Sequence, residues 1–264
     1  MIINSNMKKT YQRIMKKDME SVKGLNGIRV IFDESNLLKA YALIIGPENT
    51  KYENSILLFN IFFPSNYPYN PPNVEYIPMN KIRIHPNLYA SGKVCLSLLG
   101  TWSGPGWTSI MDISSILLSI QSLLGENPLR NEPGYETIKG DVNDNYNQII
   151  EFNSINSLII DMYNYIPETF LDIKPFIREH IIQNKDNILK KIDKNIDTNI
   201  QITLNIYRIN EHINYKTLKD KYCKFIQTIY VVLNCCKTIF NINYIIICLN
   251  EKDVKIIQMM KVIY

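Results

Sequence analysis

Cys95 stands between Val94 and Leu96 at the start of an apolar run, and by itself such a cysteine reads as a small core hydrophobe. The residues before it alter that reading. His85-Pro86-Asn87 makes a proline-locked turn that carries an amide donor, and Gly92 lets the backbone fold sharply just ahead of the thiol. An exposed thiol with a preset amide beside it is what acyl transfer through a thioester requires: a nucleophile, and a donor where the tetrahedral oxyanion develops. Asn87 has a second, compatible use in closing an Asx turn after Pro86, and His85 is expected to be structural rather than a general base.

The elements that must position these residues follow from periodicity. Lys8 to Val22 has helical spacing, with Tyr11, Ile14, Met15, Met19 and Val22 on one face. Alternation and turn residues then predict strands over 28–32, 38–45, 55–63 and 74–77, an antiparallel meander. The third strand is apolar at nearly every position, so both its faces should be covered. Between strands three and four, Pro64, Pro68, Pro71 and Pro72 stiffen an extended crossing. A glycine-rich loop, Gly100 to Trp107, follows the cysteine and carries both tryptophans, expected to pack the loop. Ser109 and Asp112 resemble a capping box ahead of a helix through Ile113, Ile116, Leu117, Ile120 and Leu124. Residues 125–134 form a polar crossover. A helix is predicted from about Asn143 to Ile166, a second from Phe170 to about Ile192 kinked near Pro175, and a further one over Tyr215 to Cys236. Phe240 to Leu249 reads as a strand or buried segment.

Composition narrows the function class. Hydrophobic residues at 46% with 20% charged describe a folded globular chain. A net charge of +4, spread rather than blocked, calls for no nucleic acid partner. Five cysteines without a regular framework, and no signal peptide at Met1, point to free thiols in a reducing compartment, the cytoplasm, with the nucleus left open as a second location. Cys223, Cys235, Cys236 and Cys248 lack the histidine pairing of a zinc site, so no metal is expected and these thiols should be buried. Phe225 to Leu249 is the apolar stretch nearest in length to a membrane span. Lys237 inside it would cost roughly 2.5–3.5 kcal/mol at a bilayer centre, so no membrane is expected.

Taken together, Gly46-Pro47, Tyr52-Glu53, Phe63-Pro64, Tyr67-Pro68, Pro71-Pro72, His85-Pro86-Asn87, Gly92-Lys93-Val94-Cys95-Leu96 and Trp107 resemble, in order and spacing, the core of the ubiquitin-conjugating enzymes. Leu98 to Trp107, Ser114 to Gln121 and Asn131 to Glu136 are most similar to the large Z-type enzymes, with the O-type and inhibitor-of-apoptosis-linked ones next, all sharing the loop that stands here as Gly100-Thr101-Trp102-Ser103-Gly104. The resemblance is clear over about residues 8–182 and faint around 214–233. It implies an α+β fold: a four-stranded antiparallel meander sheet, an N-terminal helix, a central helix, C-terminal helices and a mainly helical C-terminal extension. The implied division is a core at 7–168 and an extension at 169–264 of unassigned function.

The implied reaction is acceptance of ubiquitin from an activating enzyme (E1) as a thioester on Cys95, then transfer to a substrate lysine or to an E3 ligase of RING or HECT type. No cofactor is implied, since ATP is consumed by the activating enzyme. Asn87 carries over as the oxyanion or loop-ordering amide, with His85, Pro86 and Gly92 supporting it. Ser97, Asn131 and Glu132 are candidates for a gate that receives the incoming lysine. Tyr69, Thr108, Ser109 and Ile110 match ligase-contact positions, and Arg13, Lys16 and Lys17 lie on the helix that meets the activating enzyme. Lys51 and Asn54-Ser55 depart from the family, which usually has proline and paired glycines there. Two alternatives stay open: a conjugating enzyme for another ubiquitin-like modifier, or a silent variant serving as a scaffold for ubiquitin or a ligase.

Overall fold

The computed structural model describes the backbone of residues 5–240 and the side chains of residues 7–233. Helix α1 begins as Ser5–Arg13, widens into a π-helical turn at Ile14–Asp18 and ends at Met19–Ser21. The wider turn shifts the phase of the helix, so Thr10, Ile14 and Asp18 are the residues it buries. Met15, expected inward, is 54% exposed for the same reason.

Strands β1 (Ile28–Phe32), β2 (Lys39–Ile45), β3 (Ile56–Phe62) and β4 (Asn73–Tyr76) pair in the order β1-β2-β3-β4, all antiparallel. Register places Val30 opposite Ala42, Ala42 opposite Phe59 and Ile61 opposite Val74. The burial of Ile56, Leu57, Leu58, Phe59 and Ile61 shows that β3 is covered on both faces, as a run apolar at every position but Asn60 requires. Asn54 adopts φ 65° at the turn into β3. Asparagine tolerates this left-handed conformation better than most other side chains.

Helix α2 (Ile113–Leu123) starts later than a capping box at Ser109 would place it. Asp112 is its N-cap and accepts from Ser115 N–H, while the Ile113 N–H donates to Asp18 of α1 at 3.0 Å. A 3-10 turn at Pro128–Asn131 breaks the crossover, and α3 (Asp141–Ile155) follows, continuing through a π-helical turn at Asn156–Asp161 to Met162–Asn164. A 3-10 segment at Glu168–Ile173 leads into α4 (Lys174–Lys194). Pro175 therefore stands in the first turn of α4 and introduces no kink, because its missing N–H would lack an intrahelical partner there.

Beyond α4 the chain forms a hairpin, β5 (Asn199–Leu204) with β6 (Ile209–Asn214), and then α5 (Tyr215–Phe240). Phe170 packs edge-on against Tyr41 of β2 at 5.4 Å, and Arg29 of β1 lies over Phe176 of α4 at 4.4 Å. Phe152 of α3 meets Tyr215 at 5.4 Å. One apolar cluster thus runs from Ile14 through the sheet and helices to Ile229. No helix among the described residues is long and apolar enough to cross a membrane. The segment expected at Phe240 to Leu249 lies outside the described residues, apart from the backbone of Phe240.

Candidate active site

The cysteine and the asparagine are joined reciprocally. Asn87 Nδ2 donates to the Cys95 carbonyl at 2.9 Å, and the Cys95 N–H donates to the Asn87 carbonyl at 2.9 Å. This fixes residues 87 and 95 side by side and gives Asn87 a loop-ordering geometry. A side-chain amide carries two N–H hydrogens, so one remains for a further acceptor. Asn87 Oδ1 is buried without a partner.

The turn between them is tied at both ends. Gly92 N–H donates to the Tyr89 carbonyl and Tyr89 N–H to the Lys93 carbonyl, while Tyr76 N–H of β4 donates to the Gly92 carbonyl at 2.8 Å. Gly92 has φ +90°, and a β-carbon there would stand 2.9 Å from the Tyr76 carbonyl oxygen. Both facts demand glycine.

His85 is completely buried. Its Nδ1 accepts the Asn87 N–H at 3.0 Å, which requires the proton on Nε2, and Nε2 donates to the Leu123 carbonyl at 3.0 Å. Burial depresses its pKa to about 3, with the nearby Arg83 charge adding to the shift and the Leu123 bond opposing it. With both nitrogens engaged and the ring neutral, His85 is a spacer between the Asn87 turn and the end of α2, not a proton acceptor for chemistry.

Cys95 itself is 2% exposed, which corrects the expectation of an open thiol. The backbone on either side of it is held in place. Thr101 Oγ1 accepts the Leu96 N–H at 2.9 Å and donates to the Val94 carbonyl at 2.7 Å, and Thr101 N–H donates to the Leu96 carbonyl. The Gly100–Trp107 loop thereby folds back onto the backbone flanking Cys95. Of the two tryptophans, Trp107 packs: its Nε1 donates to the Pro68 carbonyl at 2.7 Å, and its ring tilts against Tyr67 at 5.9 Å. Trp102 is 37% exposed. Cys223 is exposed, contrary to expectation, and is a free thiol on α5.

The three gate candidates have different surroundings. Ser97 opens the 3-10 turn at Ser97–Leu99, with its Cβ 3.1 Å from where a side chain at Gly104 would begin. Asn131 is exposed, donates to the Pro128 carbonyl and reaches within 3.4 Å of His85 Nε2. Glu132 accepts the Tyr207 hydroxyl at 2.5 Å and lies 3.8 Å from Arg83. Burial pushes the Tyr207 pKa up, reinforced by the hydrogen bond to Glu132 and its charge, so Tyr207 stays the donor. Arg83 donates to the Pro86 carbonyl and is sandwiched between the rings of Tyr89 at 3.6 Å and Tyr207 at 4.4 Å.

The partner-contact candidates come together on one side of the molecule. Arg13 donates to the Met111 carbonyl and Lys17 to the Ile110 carbonyl, so α1 abuts the 107–111 loop, and Trp107 ties that loop to the proline crossing. Tyr69 and Ile110 are 77% and 78% exposed, Thr108 and Ser109 are exposed beside them, and Lys16 is exposed on α1. Beneath this surface lies Asp18, a residue the helical pattern did not single out. Its carboxylate accepts from Tyr67 Oη at 2.6 Å, from Ile113 N–H at 3.0 Å and from Arg13 at 3.0 Å, joining the helix, the crossing and the start of α2. Thr101, Arg83 and Tyr207 were likewise not singled out. Among the described residues no three His, Cys, Asp or Glu side chains are grouped so as to hold a metal ion.

The family model described as ubiquitin-conjugating enzyme matches residues 7–154. Over 140 residues the chain is 46% identical to Ubiquitin-conjugating enzyme E2 Z of Danio rerio, covering 52% of this chain and 42% of that protein. The Homo sapiens protein of the same name is also 46% identical over 140 residues, with 39% of its length covered. Probable ubiquitin-conjugating enzyme protein 17 of Caenorhabditis elegans is 35% identical over 183 residues, covering 65% of this chain and 25% of that protein. The matches thus span less than half the length of these curated relatives. Among solved structures, the E2 domain of a Toxoplasma gondii ubiquitin conjugating enzyme is similar at a TM-score of 0.44 and 24% identity, covering 56% of this chain and 97% of that one.

Proposed function

The chain belongs to the ubiquitin-conjugating enzyme family, and from that premise we propose that it carries ubiquitin as a thioester on Cys95. The observation that supports this reading is the reciprocal bonding of Asn87 and Cys95, which seats an amide donor beside the thiol within a turn locked by Pro86, Gly92 and the neutral His85.

The chemistry is two acyl transfers. In the first, the Cys95 thiolate attacks the thioester carbonyl presented by an activating enzyme, a new S–C bond forms, and the activating enzyme's cysteine leaves as thiolate. In the second, a lysine amine attacks the Cys95 thioester, the isopeptide bond forms, the amine gives up a proton and Cys95 leaves. A ligase cysteine takes the place of the amine when transfer runs through a HECT-type ligase. Both steps pass through a tetrahedral oxyanion. The second hydrogen of Asn87 Nδ2 is the donor available to it, and removing one such donor costs about 10²–10³ in rate in other acyl-transfer enzymes. Because Cys95 is 2% exposed, charging involves displacement of the surface over the thiol.

Glu132 is the gate candidate whose carboxylate bears charge suited to an incoming ammonium. Tyr69 with the 108–110 loop is the face offered to RING-type ligases, and Lys16 with its α1 neighbours the face offered to the activating enzyme. ATP is consumed by that enzyme, and the setting is a reducing, cytoplasmic one. The test is a charging reaction with activating enzyme, ATP and ubiquitin, resolved on non-reducing gels. A thiol-sensitive adduct on the protein that disappears in Cys95→Ala supports the reading, and an adduct that persists in Cys95→Ala overturns it.

A further inference from the structure

At the tip of the β5–β6 hairpin Tyr207 has φ 59° and ψ 6°, and Arg208 follows at φ 50°. Two consecutive residues with β-carbons thus occupy the left-handed region that turns ordinarily give to glycine or asparagine. Arg208 N–H closes the turn on the Asn205 carbonyl at 3.1 Å. Burial of the hairpin does not demand this conformation, since Ile202, Leu204, Ile209 and Ile213 already supply its apolar face.

What the conformation delivers is one aromatic side chain to a particular place. The Tyr207 ring meets Tyr146 of α3 edge-on at 5.9 Å, its face receives the Arg83 guanidinium at 4.4 Å, and its hydroxyl donates to Glu132 at 2.5 Å. Arg83 is in turn fixed by Tyr89 on its other side and by its bond to the Pro86 carbonyl, the group that leads directly into Asn87. The Arg83 carbonyl accepts the Tyr146 hydroxyl at 2.7 Å. A single residue far along the chain therefore touches both the guanidinium that braces the His85–Asn87 turn and the carboxylate of the crossover beside it.

We propose that Tyr207 is a positioning residue for acyl transfer, holding Arg83 against the Pro86 carbonyl and Glu132 in place so that the Asn87 turn and the crossover keep one arrangement while Cys95 discharges to an amine. This rests on the reading of Cys95 as the thioester carrier. It gives the hairpin a part in the chemistry, beyond covering apolar surface.

The experiment charges the full chain and its Tyr207→Phe and Tyr207→Ala variants with ubiquitin, then follows single-turnover discharge over a range of free lysine concentrations, alongside thermal melting. All three proteins charge, and loss of the adduct in Cys95→Ala places it on Cys95. Tyr207→Phe keeps the ring over Arg83 and loses the Glu132 bond, so its limiting discharge rate constant falls about 3- to 10-fold at full amplitude. Tyr207→Ala loses both contacts and falls further. A merely structural role would lower the melting temperature and the amplitude while leaving the limiting rate constant unchanged. Wild-type limiting rate constants in the two variants overturn the inference, and if Tyr207→Ala does not fold, Tyr207→Phe decides alone. Failure of the wild-type chain to charge is a different result: it overturns the thioester reading, and the role of Tyr207 falls with it.

Discussion

Replacing Gly92 by alanine isolates the turn that feeds Cys95. The residue has φ +90°, and the added methyl would sit 2.9 Å from the Tyr76 carbonyl oxygen, a backbone atom with little freedom to retreat. Placing an L-residue in left-handed backbone costs roughly 1–2 kcal/mol. Relieving the contact means stretching the Tyr76 to Gly92 hydrogen bond of 2.8 Å, which is worth about 1 kcal/mol. The two effects sum to about 2–3 kcal/mol. For a chain of this size each kcal/mol moves the melting temperature by about 2–4 °C, so Gly92→Ala should melt roughly 4–12 °C below the parent. Ser91→Ala is the control: its side chain is exposed at the adjacent position, and its effect should stay within about 0.5 kcal/mol. Thermal unfolding of the three proteins under one buffer condition reads the difference. If Gly92→Ala melts with Ser91→Ala, neither the positive φ nor the Tyr76 contact constrains the turn.

Protonation of His85 gives a pH signature. Its folded pKa of about 3 lies below the ordinary value of 6.5, so between those limits the unfolded chain takes up a proton that the folded chain refuses, and stability falls as the pH drops. Asp18, whose pKa is raised by burial, works in the opposite sense nearer the acid end. Denaturant melts at pH 6 and pH 5 should show His85→Gln with a pH dependence smaller by about 1 kcal/mol per unit than the parent; equal slopes would mean the ring is not neutral in the fold. Thr101→Val removes the acceptor of the Leu96 N–H and the donor to the Val94 carbonyl, a loss of about 1–2 kcal/mol, and should slow charging of Cys95. A charging time course identical to the parent would show that Thr101 does not hold the Cys95 backbone in a way that charging needs.

The meander sheet is legible because alternating residues and turn chemistry lie within short windows, and β3 signals its double coverage by a run apolar at every position but Asn60. The β5–β6 hairpin has no clear signal although Ile200, Ile202 and Leu204 alternate, because the turn at 205–208 contains no glycine or proline to mark it. The phase of α1 depends on a π-helical turn with no local signature, so helical spacing points Met15 inward and gives no sign that Asp18 is buried. Asp18 is buried because Tyr67, Arg13 and the first N–H of α2 converge on it, and that convergence exists only in three dimensions. At the site, the reciprocal bonding of Cys95 with Asn87 and the positive φ of Gly92 agree with the turn that residue type and spacing predict. The partner that engages Glu132 is separated from it by 75 positions, beyond any local pattern.

The central claim is that the acyl group is carried by the side chain at residue 95. The most direct measurement charges the Cys95→Ser variant with activating enzyme, ATP and ubiquitin, and maps the attachment point by peptide mass spectrometry. A serine hydroxyl in the same geometry should yield an oxyester that survives thiol treatment, with the modifier's C-terminal remnant on the peptide containing residue 95. A remnant on Cys223 or another cysteine, or an adduct of this variant that thiol removes, would contradict the account.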